Sequence, residues 1–165
     1  MPVTAVHHDL DTLTLTITAE FAAPVERIWQ IYADPRQLEK IWGPPTHPAT
    51  FVDHELAPGG RMTYYMTGPE GEKYPGYWEV VSVDEPHGFT FRDGFADQDL
   101  KPDPNLPVGT TQCRFTAVDT DAGPGCRAEF VSRYEDAAAL QQVLDMGAAE
   151  GSRLAINQID DLVAV

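Results

Sequence analysis

The sequence predicts an α+β fold in which helices cover one side of an antiparallel sheet. Three observations support this fold class: an alternating segment near the N-terminus, two short helical segments directly after it, and a helical segment that follows a long run of strand-like segments. At 165 residues and 42% apolar composition, the chain can form one well-packed core and is too short for two. We therefore expect one domain over residues 1–165, with its core at about 12–163.

The first predicted elements are a strand and two short helices. Residues 13–21 alternate apolar and polar side chains, as a half-buried strand does, whereas residues 1–11 show no such pattern and predict a loose lead-in. A helical spacing begins after Pro24 and should end at Asp34, because a proline follows and disfavours helical geometry in the residue before it. Asp34 can then cap a second short helix over residues 35–41, which a pair of prolines ends.

About six strands and one long helix complete the prediction. Residues 50–134 contain strand-like segments separated by turns rich in glycine and proline, which indicates a meandering antiparallel sheet. Residues 96–109 are acidic and interrupted by prolines, so we expect a long surface loop there. After Tyr134 the helical period returns and predicts one long final helix with a single stripe formed by Leu140, Leu144, Gly147, Gly151, Leu154 and Gln158.

The charge of the chain limits its partners. The sequence has 26 acidic and 11 basic residues, a formal net charge of −15, whereas nucleic acid binding requires a cationic surface. The same charge argues against anionic membranes, and no apolar run approaches the roughly 20 residues of a membrane span. With no leader pattern and two cysteines that form no disulfide framework, we expect a cytoplasmic protein. Its preference for arginine over lysine, with abundant alanine, glycine and proline, indicates a bacterial source.

Several short sequence motifs occur here in the same order as in a known family. They are Ala23–Trp29, Asp34-Pro35, Trp42-Gly43-Pro44, Pro58–Arg61, Gly68–Gly71, Glu79-Val80, Glu85-Pro86, Met146-Gly147 and Glu150-Gly151. In these motifs the chain resembles the activator-of-Hsp90-ATPase-like family of the START/Bet v 1-like superfamily. The resemblance implies a helix-grip fold, in which a curved sheet wraps a long C-terminal helix and leaves a cavity between them. Two positions depart from the family pattern: Ser152 stands where tryptophan is frequent, and Ala57 where arginine is common.

Candidate ligand-binding residues come from strand faces and from the C-terminal helix. Side chains two positions apart share a strand face, and several such faces are rich in phenylalanine, tyrosine and adaptable methionine. Glycines four positions apart in the last helix leave room for a ligand or for a close approach of the sheet. With a tryptophan expected at the cavity mouth, the candidates are Trp42, Met62, Tyr64, Met66, Phe91, Asp93, Phe95, Phe115, Phe130, Leu144, Gly147 and Gly151. An ordinary packed core would explain the same pattern.

Asp93 is the main candidate for a chemical role. If its side chain faces the cavity among phenylalanines, burial raises its pKa, and a carboxyl group with a raised pKa can act as a general acid or base. Alternatively, Arg92 or Arg114 pairs with it, or it simply ends a strand. The histidines and cysteines lack metal-ligand spacing, and the chain has no phosphate-binding loop and no nucleophile elbow. We therefore expect no metal and no cofactor.

These observations favour a binding protein over an enzyme. We expect a small hydrophobic or aromatic molecule to bind between the sheet and the C-terminal helix. The first alternative is an enzyme similar to polyketide cyclases and aromatases, in which Asp93, Tyr64 and Arg114 would act. The second is a protein that interacts with an Hsp90-type chaperone. We do not favour this contact, because the co-chaperone that gives the family its name carries an additional N-terminal domain, whereas only about a dozen residues precede the first predicted strand here. The sequence is compatible with a homodimer.

Overall fold

Eight antiparallel strands form one curved sheet in the computed structural model, which describes residues 2–164. The strands are β1 (Val3–Asp9), β2 (Thr14–Phe21), β3 (Ala49–Asp53), β4 (Arg61–Thr67), β5 (Lys73–Asp84), β6 (Gly88–Phe95), β7 (Val108–Thr120) and β8 (Gly123–Tyr134). Their order in the sheet is β1-β2-β8-β7-β6-β5-β4-β3. The predicted meander of six consecutive strands is confirmed, and β2 joins it by pairing with β8.

Five helices lie along the chain within the described residues. They are α1 (Val25–Ala33), α2 (Pro35–Trp42), α3 (Ala137–Asp145), α4 (Ala148–Asn157) and α5 (Ile159–Val163). Asp34 separates α1 from α2 and caps the second helix, because its Oδ1 accepts a hydrogen bond from the backbone N–H of Arg36 at 2.9 Å. The Gln37 side chain donates to Asp34 Oδ2 at 3.0 Å. The predicted boundary between these two helices is therefore confirmed.

The lead-in predicted at the N-terminus is wrong, because this segment forms the edge strand β1. It pairs with β2 from Val3↔Ala19 to Asp9↔Thr14. Its side chains are mostly exposed on both faces, so neither face has to be apolar to pack against a core. The alternation of apolar and polar residues that marks a half-buried strand is therefore missing. An edge strand of this kind gives no hydropathy signal.

The single uninterrupted C-terminal helix is also wrong in detail, because three shorter helices occupy that segment. Gly147 separates α3 from α4 with φ at +81°, a left-handed conformation that glycine adopts at little cost. The break changes the phase of the helical face. Val143 is consequently buried in α3, whereas the predicted Leu144 is only partly buried.

A solid aromatic core fills the part of the sheet that α1 crosses. The Tyr32 ring of α1 lies 5.6 Å from the rings of both Phe89 and Phe115 and 6.2 Å from that of Phe130, measured between centroids. Phe115 is 1% exposed, so it has no contact with open space. This end of the protein is close-packed, in contrast to the end covered by α3 and α4.

Candidate ligand-binding cavity

A cavity of about 640 Å³ lies between the sheet and the C-terminal helices. Its volume is within the range of roughly 300–1,000 Å³ that is usual for small-molecule sites. The strands contribute Leu15, Ile17, Tyr64, Met66, Phe91, Asp93, Phe95, Thr111, Cys113, Phe130, Ser132 and Tyr134. The helices and the segment after α2 contribute Ile41, Trp42, Pro44, His47, Val143, Met146, Gly147, Glu150, Gly151, Leu154, Ala155 and Ile156. Most of this wall is apolar.

Two strand glycines leave room for tyrosine rings of the cavity wall. Gly109 lies between Asp93 and Tyr134 in one row across β6, β7 and β8, and an added Cβ there would lie 2.8 Å from the Tyr134 ring. On the other side, a Cβ at Gly76 of β5 would overlap the ring and the hydroxyl of its neighbour Tyr64. Glycine inside a strand often marks such a close approach. Both tyrosine rings can therefore lie over a glycine and extend towards the region of Asp93.

Asp93 is the only acidic side chain on the strand wall of the cavity among the described residues. Burial raises the pKa of its carboxyl group to about 7, and only its own backbone N–H opposes this rise by hydrogen bonding. The neighbouring Arg92 lies on the opposite strand face and is exposed, and Arg114 is also exposed on β7. Neither of the two arginines considered as partners therefore compensates the buried carboxyl.

Three groups on which the charge of Asp93 acts keep their protons. Burial raises the pKa of both Tyr64 and Tyr134, and the negative charge of Asp93 raises each further. Burial also raises the pKa of the Cys113 thiol well above its ordinary value, with Asp93 as the second cause. At neutral pH these three groups are neutral, so Asp93 is the only group among the four that can carry a charge.

Further polar groups lie on the same wall. Thr111 and Ser132 face each other on β7 and β8, and their hydroxyl oxygens are 2.8 Å apart in a hydrogen bond. On the opposite side, the buried Nε1 of Trp42 makes no hydrogen bond of normal geometry. It lies close enough to Tyr64 to offset a small part of the rise in the tyrosine pKa. The cavity thus offers a few polar groups within an apolar surface.

The helical wall is fixed to the rest of the protein at its C-terminal end. Gln158 follows α4 and its Nε2 donates to the backbone oxygen of Gly43 at 2.7 Å, which ties α4 to the segment after α2. Gly151 lies on the same helical face as the buried Ala155, four residues later. A Cβ added at Gly151 would meet no atom within 4 Å. The space opposite this glycine is therefore open.

The rim of the cavity combines exposed apolar side chains with an ion pair. Met146 and Leu154 are 51% and 38% exposed although both line the cavity. Glu150 forms an ion pair with Arg153 one turn later in α4, and this contact lowers the pKa of the glutamate. His47 lies on the other side of the rim, where its ring contacts that of Tyr74 with centroids 5.6 Å apart. The cavity is open to solvent between these groups.

The structure brings nine of the twelve predicted ligand-binding residues to the cavity wall. They are Trp42, Tyr64, Met66, Phe91, Asp93, Phe95, Phe130, Gly147 and Gly151. Phe115 and Met62 lie instead in the close-packed core with no more than 1% exposure. Leu144 is absent from the wall because the helix break at Gly147 brings Val143 there.

Sequence reasoning missed Tyr134, Thr111 and Ser132, which complete the polar part of the wall. Tyr134 is the last residue of β8, and nothing in its local pattern distinguishes it from the start of the loop that follows. The signal that could have found it is the glycine at 109, a position in a strand where a side chain would collide with a neighbouring ring. Gly76 gives the same signal for Tyr64.

A curved antiparallel sheet closed by C-terminal helices, with a cavity between the two, defines the helix-grip fold, and the predicted fold class is confirmed. The protein Ara h 8.0201 shares this fold with a TM-score of 0.63 at 13% sequence identity, over 97% of this chain and 99% of that chain. Within this class, the family model "Activator of Hsp90 ATPase homolog 1-like protein" matches residues 22–164. The chain belongs to that family, as the sequence motifs predicted.

Two bacterial proteins of known structure are similar along almost the whole chain. Protein Ms6760 from Mycobacterium smegmatis is 68% identical over 98% of this chain and 97% of that chain, with a TM-score of 0.88. A protein from Arthrobacter aurescens is 42% identical over 96% of this chain and 90% of that chain, with a TM-score of 0.89. Among proteins with curated descriptions, none matches this chain. The fold supports a ligand-binding or related role in general.

No helix within residues 2–164 is both long enough and apolar enough to cross a membrane.

Proposed function

We propose that this protein binds a small, largely apolar or aromatic molecule in the cavity between the sheet and the C-terminal helices. The observation that carries the proposal is the cavity itself, with a volume of about 640 Å³ in a protein whose other end is close-packed. Protein interiors are normally filled to the density of organic crystals, so a void of this size is an exception that binding explains. The apolar wall would supply affinity at about 25 cal/mol per Å² of apolar surface buried.

A neutral dye tests this proposal without knowledge of the physiological ligand. Nile red fluoresces in apolar surroundings, and we expect it to bind with a stoichiometry of one per chain. Phenylalanine at Gly151 should fill the open space opposite this helix position and abolish binding, since the position has ordinary helical geometry and no atom within 4 Å of an added Cβ. Circular dichroism and thermal melting should show that Gly151→Phe remains folded.

Ala138→Phe is the matched control, because it adds the same side chain at an exposed position of α3 that is not part of the cavity wall. This variant should bind the dye like the unmodified protein. Equal dye binding by Gly151→Phe and Ala138→Phe, with both folded, would mean that the dye binds elsewhere and would contradict the proposal.

A second candidate function is general acid–base catalysis on a polyketide-like substrate. The observation that favours it is the Asp93 carboxyl, with a pKa of about 7, in the region of the neutral hydroxyls of Tyr64 and Tyr134. A linear poly-β-ketone should then be cyclised faster by the unmodified protein than by Asp93→Asn, as measured by liquid chromatography of the products. Equal rates for the two proteins would exclude this role for Asp93.

A further inference from the structure

The charged groups on the cavity wall are unevenly distributed by sign. Asp93 and Glu150 are the acidic residues among the described wall residues, His47 is the single histidine, and no lysine or arginine is among them. Arg153 lies between the wall residues Ser152 and Leu154 of α4 and is already paired with Glu150. An anionic ligand such as a fatty acid would therefore meet no positive partner in the cavity and a negative one in its wall.

Asp93 also lacks a partner from the protein. Within residues 2–164, its carboxyl accepts a hydrogen bond only from its own backbone N–H, and no side chain donates to it. A half-buried carboxylate without a partner in an apolar wall is unfavourable, since it loses part of the water that would solvate its charge. A ligand that brings a positive group to this carboxyl would offset the unfavourable free energy of the unpaired charge. A neutral ligand would not offset it.

Aromatic side chains surround the position that such a group would occupy. Tyr64 and Tyr134 are close enough to Asp93 for its charge to act on both, and Phe91 and Phe95 lie on the same face of β6. Faces of aromatic rings attract organic cations, and sites for quaternary ammonium groups are commonly built from several rings. The rings and the carboxyl together favour a cation with an apolar surface over a strongly hydrated one.

From this distribution we infer that the ligand is an organic cation: an apolar or aromatic body that fills the cavity, with an amine or quaternary ammonium group that binds at Asp93 between Tyr64 and Tyr134. This inference rests on the proposed function, because it specifies the ligand class of the same cavity. The body of the ligand would contact the apolar wall formed by residues such as Ile17, Phe130 and Ile156.

The test compares a cation with its uncharged carbon isostere. (Naphthalen-2-ylmethyl)trimethylammonium and 2-neopentylnaphthalene have nearly the same shape and differ in one positive charge, and both can be measured by displacement of Nile red. We expect Asp93→Asn to weaken binding of the ammonium probe about tenfold or more, and to change binding of the neutral isostere less than twofold. 2-Naphthylacetate, the anionic probe, should bind more weakly than either probe to the unmodified protein.

The dependence of binding on pH gives a second readout. The quaternary ammonium group does not titrate, so its affinity should rise between pH 6 and pH 8 as Asp93 loses its proton, while the affinity of the neutral isostere stays flat. The charge of Asp93 also acts on Tyr64 of β4, Tyr134 of β8 and Cys113 of β7, but their raised pKa values keep them neutral in this range. His47 is the single histidine among the described wall residues, so His47→Gln is the control and should keep the rise.

The outcomes separate this inference from the proposed function. If the neutral isostere binds but Asp93→Asn affects both probes equally, the inference is overturned and the apolar binding cavity remains. Displacement of Nile red by 2-naphthylacetate at lower concentration than by the ammonium probe would overturn it as well. If neither naphthalene probe binds to the unmodified protein, both the inference and the proposed function fail.

Discussion

The two ends of the same sheet are packed in different ways. Under α1, the buried rings of Phe89 and Phe115 pack against Tyr32, whereas under α3 and α4 the sheet borders a cavity of about 640 Å³, and Tyr32 and Phe130 lie at the boundary between the two regions. The inward positions differ in kind: large rings such as Phe115 at the closed end, and Gly109, Thr111 and Ser132 towards the open end. Since one strand can border both the packed core and the cavity, the side chains in each row across the sheet determine how that row is packed.

The largest expected difference between the two ends is in the response to losing a phenyl ring. Phe115→Ala should lower the free energy of unfolding by about 3–5 kcal/mol, because it creates a new void in a close-packed core. Phe95→Ala should cost only about 1 kcal/mol, since this half-buried ring already borders the cavity. Urea denaturation of both variants measures the difference, and equal losses would contradict the distinction between a closed and an open end.

Much of this contrast could be predicted from the sequence, but the position along the sheet at which the packed core ends and the cavity begins could not. The alternation in β6 placed Phe91, Asp93 and Phe95 on the cavity side, and the structure agrees. Phe115 has the same inward orientation and the same residue type, and was predicted to line the cavity too. Its burial depends on where α1 crosses the sheet, which is a tertiary contact that no local pattern contains.

The C-terminal segment is a second case in which tertiary packing, and not the local sequence pattern, decides the structure. The sequence motifs and the helical period predicted that this segment closes the sheet, yet the period alone continues through Gly147 without a break. Glycine is compatible with a helix and with a left-handed bend, and the choice between them depends on how each half packs on the sheet. The change from Leu144 to Val143 on the wall follows from that bend.

The second expected effect is the dependence of stability on pH at the open end. The pKa of Asp93 in the folded protein, about 7, lies above its ordinary value of 3.8, so the folded state binds the proton more tightly than the unfolded chain. The resulting stabilisation is complete below about pH 4 and is lost as the pH rises through 7. Between pH 5 and pH 8 this single group should lower the free energy of unfolding by roughly 1–3 kcal/mol.

Asp93→Asn should remove this loss, so that the variant gains on the unmodified protein as the pH rises. Chemical denaturation at pH 5, 6, 7 and 8 measures the difference between the two proteins. Asp121→Asn, in the exposed turn between β7 and β8, is the matched control and should retain the full dependence. A constant difference between Asp93→Asn and the unmodified protein across this range would show that Asp93 is not titrating in the cavity.

The smallest expected effects distinguish the two glycines of the helical wall. Gly151→Ala should raise stability by about 0.5–1 kcal/mol, because alanine is the better helix former and its Cβ points into open space. Gly147→Ala should lower stability by about 1 kcal/mol, because φ at this position is +81° and a side chain disfavours it. Thermal melting of the two variants gives the sign of each change, and the same sign for both would contradict the break between α3 and α4.

The central claim is that the space between β6–β8 and α4 is open to an apolar guest. A crystal soaked with 2-bromonaphthalene tests it most directly, because bromine is located by its anomalous scattering. We expect one bromine peak between Phe91, Tyr134 and Gly151 in the interior of the cavity. An interior filled by the protein's own side chains, such as Met146 and Leu154 turned inward, with bromine only on the outer surface, would contradict the account.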